Sequence, residues 1–259
     1  MLRFKSLGSG SSGNATLVEA TSAGASQFRL LIDCGLGLKH LQHRLGLAGF
    51  AASDVGAIFI THEHADHIGC ALALSLRHRI PVWMSRGTYD AIGSPDFDGL
   101  LRVASDGENI DLGSLQVTPF TVPHDAREPL QLTCTDGSAK LGVLTDLGHA
   151  TTHVLSHLSA CDALLLECNH DTDLLMASSY PAFLKRRVGG LHGHLSNINA
   201  AAIARTLNHS GLKHLVAAHL SLQNNRPAVV QGLLAEALAW AANDIVVATG
   251  HDGSPWLQI

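Results

Sequence analysis

Four side chains that can bind metal ions lie within six residues of one another: His62, His64, Asp66 and His67. The apolar residues 57–60 come directly before them and are typical of a buried strand. Residues 68–76 come directly after them and favour a helix. The four side chains therefore occupy a loop between two rigid elements, where they can converge on one point.

The spacing of these ligands indicates two neighbouring metal ions. His62 and His64 are two residues apart, so both imidazoles can leave an extended segment on the same side. Asp66 and His67 begin the predicted helix and can face a second position. The ligand atoms are nitrogen and oxygen, without cysteine, which favours a catalytic site over a structural zinc site. Because residue 66 is aspartate, the motif is not the His-Glu-x-x-His of helical metalloproteases.

Other predicted strands also end in a residue that can bind a metal ion or carry a proton. The strand-terminal residues are Asp33, His124, Asp146, Glu167 and His219. A carboxylate such as Asp146 can contact two cations with its two oxygens. Asp33 is either a further ligand or, as we expect, a residue that supports the metal loop without binding an ion itself. If these strand ends share one edge, that edge is a metal site.

A glycine-rich segment at residues 8–13 matches the dinucleotide-binding pattern Gly-x-Gly-x-x-Gly, and Asp33 follows twenty residues later. That pattern must open a helix, but the strand-like residues 14–20 follow it here. We therefore interpret it as a turn between two strands. Backbone N–H groups in such a turn can still contact a phosphate near the site.

Composition limits the class of protein. The chain has 259 residues, of which 46% are hydrophobic and 15% charged, so a substantial core is expected. No apolar stretch is long enough to cross a bilayer, and no export signal follows the N-terminus. Five cysteines without a Cys-x-x-Cys pair are typical of a reduced, cytoplasmic protein. The formal net charge of −5 gives no global attraction for nucleic acid.

No linker or shift in composition divides the chain, so we expect a single domain over residues 1–259. Strands and helices are mixed along the sequence. This order favours two sheets with outer helices over one doubly wound sheet.

The metal motif, together with His124, Asp146 and His219 in this order, resembles the metallo-β-lactamase superfamily. Five further segments resemble its YycJ/WalJ-like branch, which is associated with nuclease activity, including 5′ exonuclease action on DNA. These segments are residues 8–14, 145–148, 167–171, 180–185 and 193–197.

The resemblance implies an α+β fold, an αββα sandwich in which two mixed β-sheets pack face to face with helices outside. It also implies a dinuclear centre of Zn²⁺ or Mn²⁺ whose bridging hydroxide attacks the substrate. The first ion takes His62, His64 and His124, and the second takes Asp66, His67 and His219. Asp146 bridges the two ions.

The catalytic residues implied by the resemblance are Asp66, Glu167 and His194. Glu167 would orient His194, which would protonate the leaving oxygen of a phosphodiester. The predicted substrate contacts are His170, Ser11 and Asn14. A nucleic acid or another phosphodiester is the expected substrate. The alternatives are a hydrolase of small thioesters, lactones or β-lactams, and a binding protein without catalysis, because fold alone does not settle function.

Overall fold

The computed structural model describes residues 1–21 and 27–259. These residues form two seven-stranded sheets. The first sheet has the order β14-β1-β2-β3-β4-β5-β6, and its strands are β1 Leu2–Gly8, β2 Ala15–Ala20, β3 Phe28–Ile32, β4 Ala57–Phe59, β5 Val82–Met84, β6 Leu101–Val103 and β14 Leu257–Gln258. The second has the order β13-β12-β11-β10-β9-β8-β7, and its strands are β7 Ile110–Asp111, β8 Gln116–Thr121, β9 Leu130–Thr135, β10 Lys140–Leu144, β11 Ala163–Glu167, β12 His214–Ala218 and β13 Val246–Val247.

Helices cover the outer faces of both sheets. They are α1 Leu38–Leu47, α2 Ala65–Ile68, α3 Ala71–His78, α4 Arg86–Ala91, α5 Thr152–Leu158, α6 Thr172–Ala177, α7 Ala182–Val188, α8 Asn197–Leu207 and α9 Pro227–Leu238. Short 3₁₀ turns lie at Ala52–Asp54 and Ala242–Asp244. None of the helices among the described residues has both the length and the apolar character that a membrane span requires.

Three hydrophobic cores show how the layers are stacked. The central core joins inward side chains of both sheets, such as Phe59 and Leu132. A second core packs α1 and α3 on the first sheet, and a third packs α5, α8 and α9 on the second sheet. The layers are therefore helix, sheet, sheet and helix, which confirms the predicted αββα sandwich.

The direction of the strands places the predicted site residues at one edge of each sheet. Strands β3 and β4 are parallel, so Asp33 and the loop at residues 61–67 leave the first sheet at the same edge. Strands β10, β11 and β12 are also parallel, which groups Asp146, Glu167 and His219. Strand β8 runs in the same direction as β10, since both are antiparallel to β9.

The structure corrects the helix that the sequence predicts over residues 68–76. It is broken at Gly69, whose φ of 29° and ψ of −108° are not helical. Glycine is required there, because a Cβ would lie 2.3 Å from the carbonyl oxygen of Cys34. Residues 93–113 contain the short strands β6 and β7. The last long helix ends at Leu238, and Ala239 after it adopts a left-handed conformation.

Candidate active site

The loop between β4 and α2 brings the imidazoles of His62 and His64 together with that of His124, which follows β8. His62 is fully buried, and its Nε2 lies 3.0 Å from Nδ1 of His64. The Nε2 atom of His124 lies 3.3 Å from the same Nδ1. His64 is the residue before α2 and has an extended backbone, which turns its ring back towards His62. Three ring nitrogens thus converge on one point.

In His124 and His62, a hydrogen bond at Nδ1 determines which ring nitrogen keeps a free lone pair. The Nδ1 atom of His124 lies 3.1 Å from the carbonyl oxygen of Gly193, to which it can only donate. The Nδ1 atom of His62 lies 3.0 Å from Oγ1 of Thr61, whose hydroxyl in turn donates to Asp33. With Nδ1 protonated, each ring presents the lone pair of Nε2 to the cluster, as in metal-binding histidines.

A second group of ligand atoms surrounds His67. The Nδ1 atom of His67 donates to Oδ2 of Asp33 at 2.7 Å, so its Nε2 presents a lone pair. That Nε2 lies 2.8 Å from Oδ2 of Asp146 and 3.8 Å from Oδ2 of Asp66. The Nε2 atom of His219 lies 3.5 Å from the same oxygen of Asp66.

Asp146 lies between the two groups. One ligand atom from each of Asp146, His62 and His67 falls within 4.8 Å of the others, and Asp146 also joins a cluster with His194 and His219. Its Oδ2 is buried and lies 2.8 Å from Nε2 of His67. With His67 neutral, two lone pairs face each other at this distance, and a proton or a cation between the two atoms removes the repulsion. Burial alone would lower the pKa of His67, but Asp146 and Asp33 raise it well above its ordinary value. A divalent metal ion can take the place of that proton, so the donor set fits such ions.

The charge of the cluster also fits cations. The carboxylates of Asp33, Asp66, Asp146 and Glu167 form ion pairs, within residues 1–21 and 27–259, with histidines alone. Burial alone would lower the pKa of His219, but the carboxylates of Asp146, Asp66 and Glu167 raise it to about 9. Burial lowers the pKa of His62 well below its ordinary value, which keeps this imidazole in the neutral form that binds metals.

Backbone geometry holds three of these side chains in position. Asp33, Asp146 and His219 have φ angles of 62°, 52° and 56°, in the left-handed region that residues other than glycine rarely adopt. Each one follows the end of a strand within two residues. The abrupt change in chain direction turns the side chain back across the sheet edge. Such conformations cluster at functional sites.

Glu167 and His194 lie beside the ligand cluster. The Nδ1 atom of His194 donates to Oε1 of Glu167 at 2.7 Å. Burial alone would raise the pKa of Glu167, but His194 and His219 lower it to about 2. The carboxylate is thus ionised and fully buried, and His194, which is 23% exposed, reaches a cavity of about 660 Å³.

The three predicted substrate contacts lie in different surroundings in the structure. Asn14 is buried and its amide nitrogen lies 3.0 Å from Nε2 of His67 and 3.2 Å from the backbone oxygen of Asp66, so it supports the metal loop. Ser11 is exposed on the glycine-rich turn. His170 is buried and lines the cavity beside His194.

Two parts of the site were not singled out in the sequence. The Thr61 hydroxyl and the Gly193 carbonyl both fix the orientation of a histidine ring. Thr61 directly precedes the motif, which is the only signal that could have drawn attention to it. A separate cluster of possible ligands, Asp106, His153 and His157, lies outside the site.

Comparison with known proteins identifies the family. A family model described as a beta-lactamase superfamily domain matches residues 28–220. The exodeoxyribonuclease YycJ of Bacillus anthracis is 33% identical over 228 residues, which cover 86% of this chain and 84% of the relative. The chain belongs to the metallo-β-lactamase superfamily. Its YycJ/WalJ-like branch also includes the exodeoxyribonuclease WalJ of Streptococcus pneumoniae, which is 31% identical over 86% of this chain and 83% of its own length.

Solved structures show the same fold. The metallo-β-lactamase fold protein YhfI from Bacillus subtilis has a TM-score of 0.74 at 16% identity, with both chains fully covered. Zinc-bound PqqB from Methylobacterium extorquens has a TM-score of 0.73 at 16% identity, covering 99% of this chain and all of the other. Together with the ligand cluster, membership of this superfamily makes the chain a metal-dependent hydrolase.

Proposed function

We propose that this chain is a nuclease that removes nucleotides from an end of DNA with two divalent metal ions, Zn²⁺ or Mn²⁺. Two relatives named exodeoxyribonucleases, each matching 86% of the chain, support this reaction class. The observation that carries the proposal is the 2.7 Å contact between Glu167 and His194 beside the ligand cluster. A sugar alkoxide needs a proton to leave, whereas a thiolate does not, so a positioned acid favours a phosphodiester over a thioester.

The ligand atoms divide into two sets. His62, His64 and His124 would hold one ion, and Asp66, His67 and His219 the other, with Asp146 between them. When bound, such ions lower the pKa of a water molecule and offset the negative charge of a phosphodiester. The side chain of Asp66 is 25% exposed, which leaves it open to the substrate side and fits a second role in catalysis.

His194 would supply the proton. Its Nδ1 is held by Glu167, so Nε2 is the nitrogen left to face the leaving oxygen. Glu167 accepts hydrogen bonds from the backbone N–H groups of Leu147 and Leu195 through its other oxygen, at 2.8 Å and 3.1 Å. The carboxylate therefore cannot rotate, and it fixes the plane of the His194 ring.

The test is turnover by the metal-loaded protein on labelled single- and double-stranded DNA, with RNA, a chromogenic β-lactam and a small thioester as comparison substrates. The expected result is metal-dependent release of short products from DNA ends. Hydrolysis of the thioester or the lactam without any cleavage of DNA would refute the proposal.

A further inference from the structure

A second cluster of possible metal ligands is formed by Asp106, His153 and His157. One ligand atom from each residue lies within 4.8 Å of the ligand atoms of the other two. None of the three residues belongs to the ligand groups of the candidate active site. Any ion that this cluster binds is therefore separate from those of the active site.

Helix α5 supplies the two imidazoles. His153 and His157 are four residues apart, which places both side chains on the same face of the helix. Their ring centroids lie 4.6 Å apart, and the ring planes are inclined by 71°. Two histidines at this helical spacing bind Zn²⁺ in the His-Glu-x-x-His motif of metalloproteases. The helix thus presents two nitrogen ligands without any change in its backbone.

Asp106 supplies a carboxylate oxygen. It lies in the segment that leads from β6 of the first sheet to β7 of the second. Its Oδ1 accepts a hydrogen bond from the backbone N–H of Thr121 at 2.8 Å and lies 2.9 Å from Nε2 of His153. Burial alone would raise the pKa of Asp106, but these two contacts lower it. The carboxylate is therefore ionised and held beside α5.

The ring of His157 is oriented by packing and keeps its nitrogens available. It stacks on Phe120 of β8, with ring centroids 4.9 Å apart and planes inclined by 13°. Neither ring nitrogen forms a hydrogen bond with any residue that the structure describes. Burial and the neighbouring His153 and Lys140 lower the pKa of His157, and Asp106 opposes them only in part. The imidazole is thus kept in the neutral form that binds metals.

The chemistry of the ligands selects the type of ion. Two imidazole nitrogens and one carboxylate oxygen suit Zn²⁺ and related transition metals, whereas Mg²⁺ and Ca²⁺ prefer oxygen ligands. The side chains of His153 and Asp106 are 43% and 42% exposed, so they can rotate slightly and admit an ion in place of the proton between them. Both residues line a cavity of about 390 Å³, which gives water access to the remaining coordination position.

We propose that Asp106, His153 and His157 form a binding site for a divalent transition-metal ion, Zn²⁺ by its ligand set, outside the active site. The ion ties the segment that crosses between the two sheets to the helix that covers the second sheet. This inference goes beyond the proposed nuclease activity and does not depend on it.

The first experiment measures zinc content after equilibrium dialysis against a series of buffered free Zn²⁺ concentrations. Over part of the series, the wild-type protein should hold one equivalent more than His157→Ala or Asp106→Asn. Loss of a group that only supports a ligand already lowers metal affinity by about 10–100-fold, so loss of a ligand should cost at least as much. Asp106→Asn keeps an oxygen for the Thr121 N–H and so disturbs the segment little.

The matched control is His43→Ala, which removes an exposed histidine of α1 that lies outside the ligand clusters of the described residues. Its zinc content should equal that of the wild type. Because the result is a difference between variants, it holds whether the active site takes one ion or two.

The second experiment locates the ion by chemical modification of accessible imidazoles with diethyl pyrocarbonate, followed by mass spectrometry. Zinc at 10 times its Kd occupies about nine in ten molecules, so modification of His153 and His157 should slow by about 10-fold. His43 should react at an unchanged rate, and Mg²⁺ at the same concentration should protect neither cluster histidine. Equal zinc content in the wild type and both cluster variants, or equal modification with and without zinc, would overturn the inference. Neither measurement requires cleavage of DNA, so the outcome is independent of the proposed function.

Discussion

His194 and His219 share one acceptor, because their Nδ1 atoms lie 2.7 Å and 3.1 Å from the same oxygen, Oε1 of Glu167. The carboxylate is fully buried and is held by two backbone N–H groups. The proposed proton donor and a proposed metal ligand are thus oriented by one rigid group. A substitution of one histidine leaves the other in place, whereas a substitution of Glu167 affects the orientation of both rings.

His194→Ala should lower kcat on DNA by about 10²–10⁴-fold, because this is the usual contribution of a general acid. The loss should shrink on bis(4-nitrophenyl) phosphate, whose leaving group needs no proton. Metal content should stay at the wild-type value, as measured by elemental analysis. Full activity on DNA, or loss of metal, would show that His194 has another role.

Glu167→Gln serves as the contrasting variant in the same assay. The two oxygens of Glu167 accept from two histidines and two backbone N–H groups, whereas an amide has one oxygen and an NH₂ group that only donates. The side chain therefore loses acceptors, and His219 is disturbed as well as His194. We therefore expect weaker metal binding together with a lower kcat, a combination that His194→Ala should not show.

Asp146→Ala should reduce the bound metal from two equivalents to one or fewer. Asp146 has an oxygen within 4.8 Å of ligand atoms of His62 and His67, one from each group, and its loss leaves His67 Nε2 without the opposing oxygen at 2.8 Å. The measurement is elemental analysis of protein purified without chelator. One tightly bound equivalent that this variant leaves unchanged would contradict the dinuclear centre.

Removal of metal should lower the melting temperature. The ligands come from the loop after β4 in one sheet and from the ends of β8, β10 and β12 in the other, so bound ions connect the two sheets. Metal present at 100 times its Kd stabilises the folded state by about 2.7 kcal/mol. This corresponds to roughly 5–10 °C for a chain of this size, measurable by calorimetry with and without chelator. An unchanged transition would mean that the ions contribute nothing to stability.

Gly35→Ala should distort the metal loop. A Cβ at this position would lie 1.7 Å from the backbone oxygen of Asp66 and 2.8 Å from the backbone nitrogen of Asn14. Backbone atoms cannot rotate away, so we expect a loss of about 3 kcal/mol in the free energy of unfolding, together with weaker metal binding. Gly37→Ala is the control, since nothing lies within 4 Å of its added Cβ. Equal denaturation midpoints for the two variants would contradict this packing.

Cys70 should be the thiol that reacts first with iodoacetamide in the folded protein. A hydrogen bond from Cys34 lowers the pKa of Cys70, which is also partly exposed. Burial raises the pKa of Cys161 to about 12 and that of Cys168 well above its ordinary value. Mass spectrometry at pH 7.5 should find the first label at Cys70 and no early label in Cys70→Ser. Early labelling of Cys161 or Cys168 would show that the core opens readily.

The sequence predicted the convergence of the possible metal ligands better than it predicted the element boundaries. Apolar strands that end in Asp, Glu or His can be recognised locally, and parallel pairing then brings these ends together. The break at Gly69 could not be predicted in this way, because the chain there makes tertiary hydrogen bonds: Cys34 N–H donates to the carbonyl of His67 at 2.8 Å, and Cys70 N–H donates to the carbonyl of Cys34 at 2.9 Å. The strands β6 and β7 have three and two residues, too few to show a hydrophobic period. Thr61 was not singled out, because the sequence does not show which groups a threonine hydroxyl will contact.

The left-handed backbone of Asp33, Asp146 and His219 implies a trade-off between activity and stability in this chain. Each such conformation costs roughly 1–2 kcal/mol in a residue with a Cβ, and glycine would remove most of that cost. Typical domains are stable by only about 5–15 kcal/mol, so the sum is a substantial fraction. Selection for stability alone would therefore favour glycine at these three positions and, in doing so, would remove the side chains that we propose to bind the metal ions or to orient their ligands.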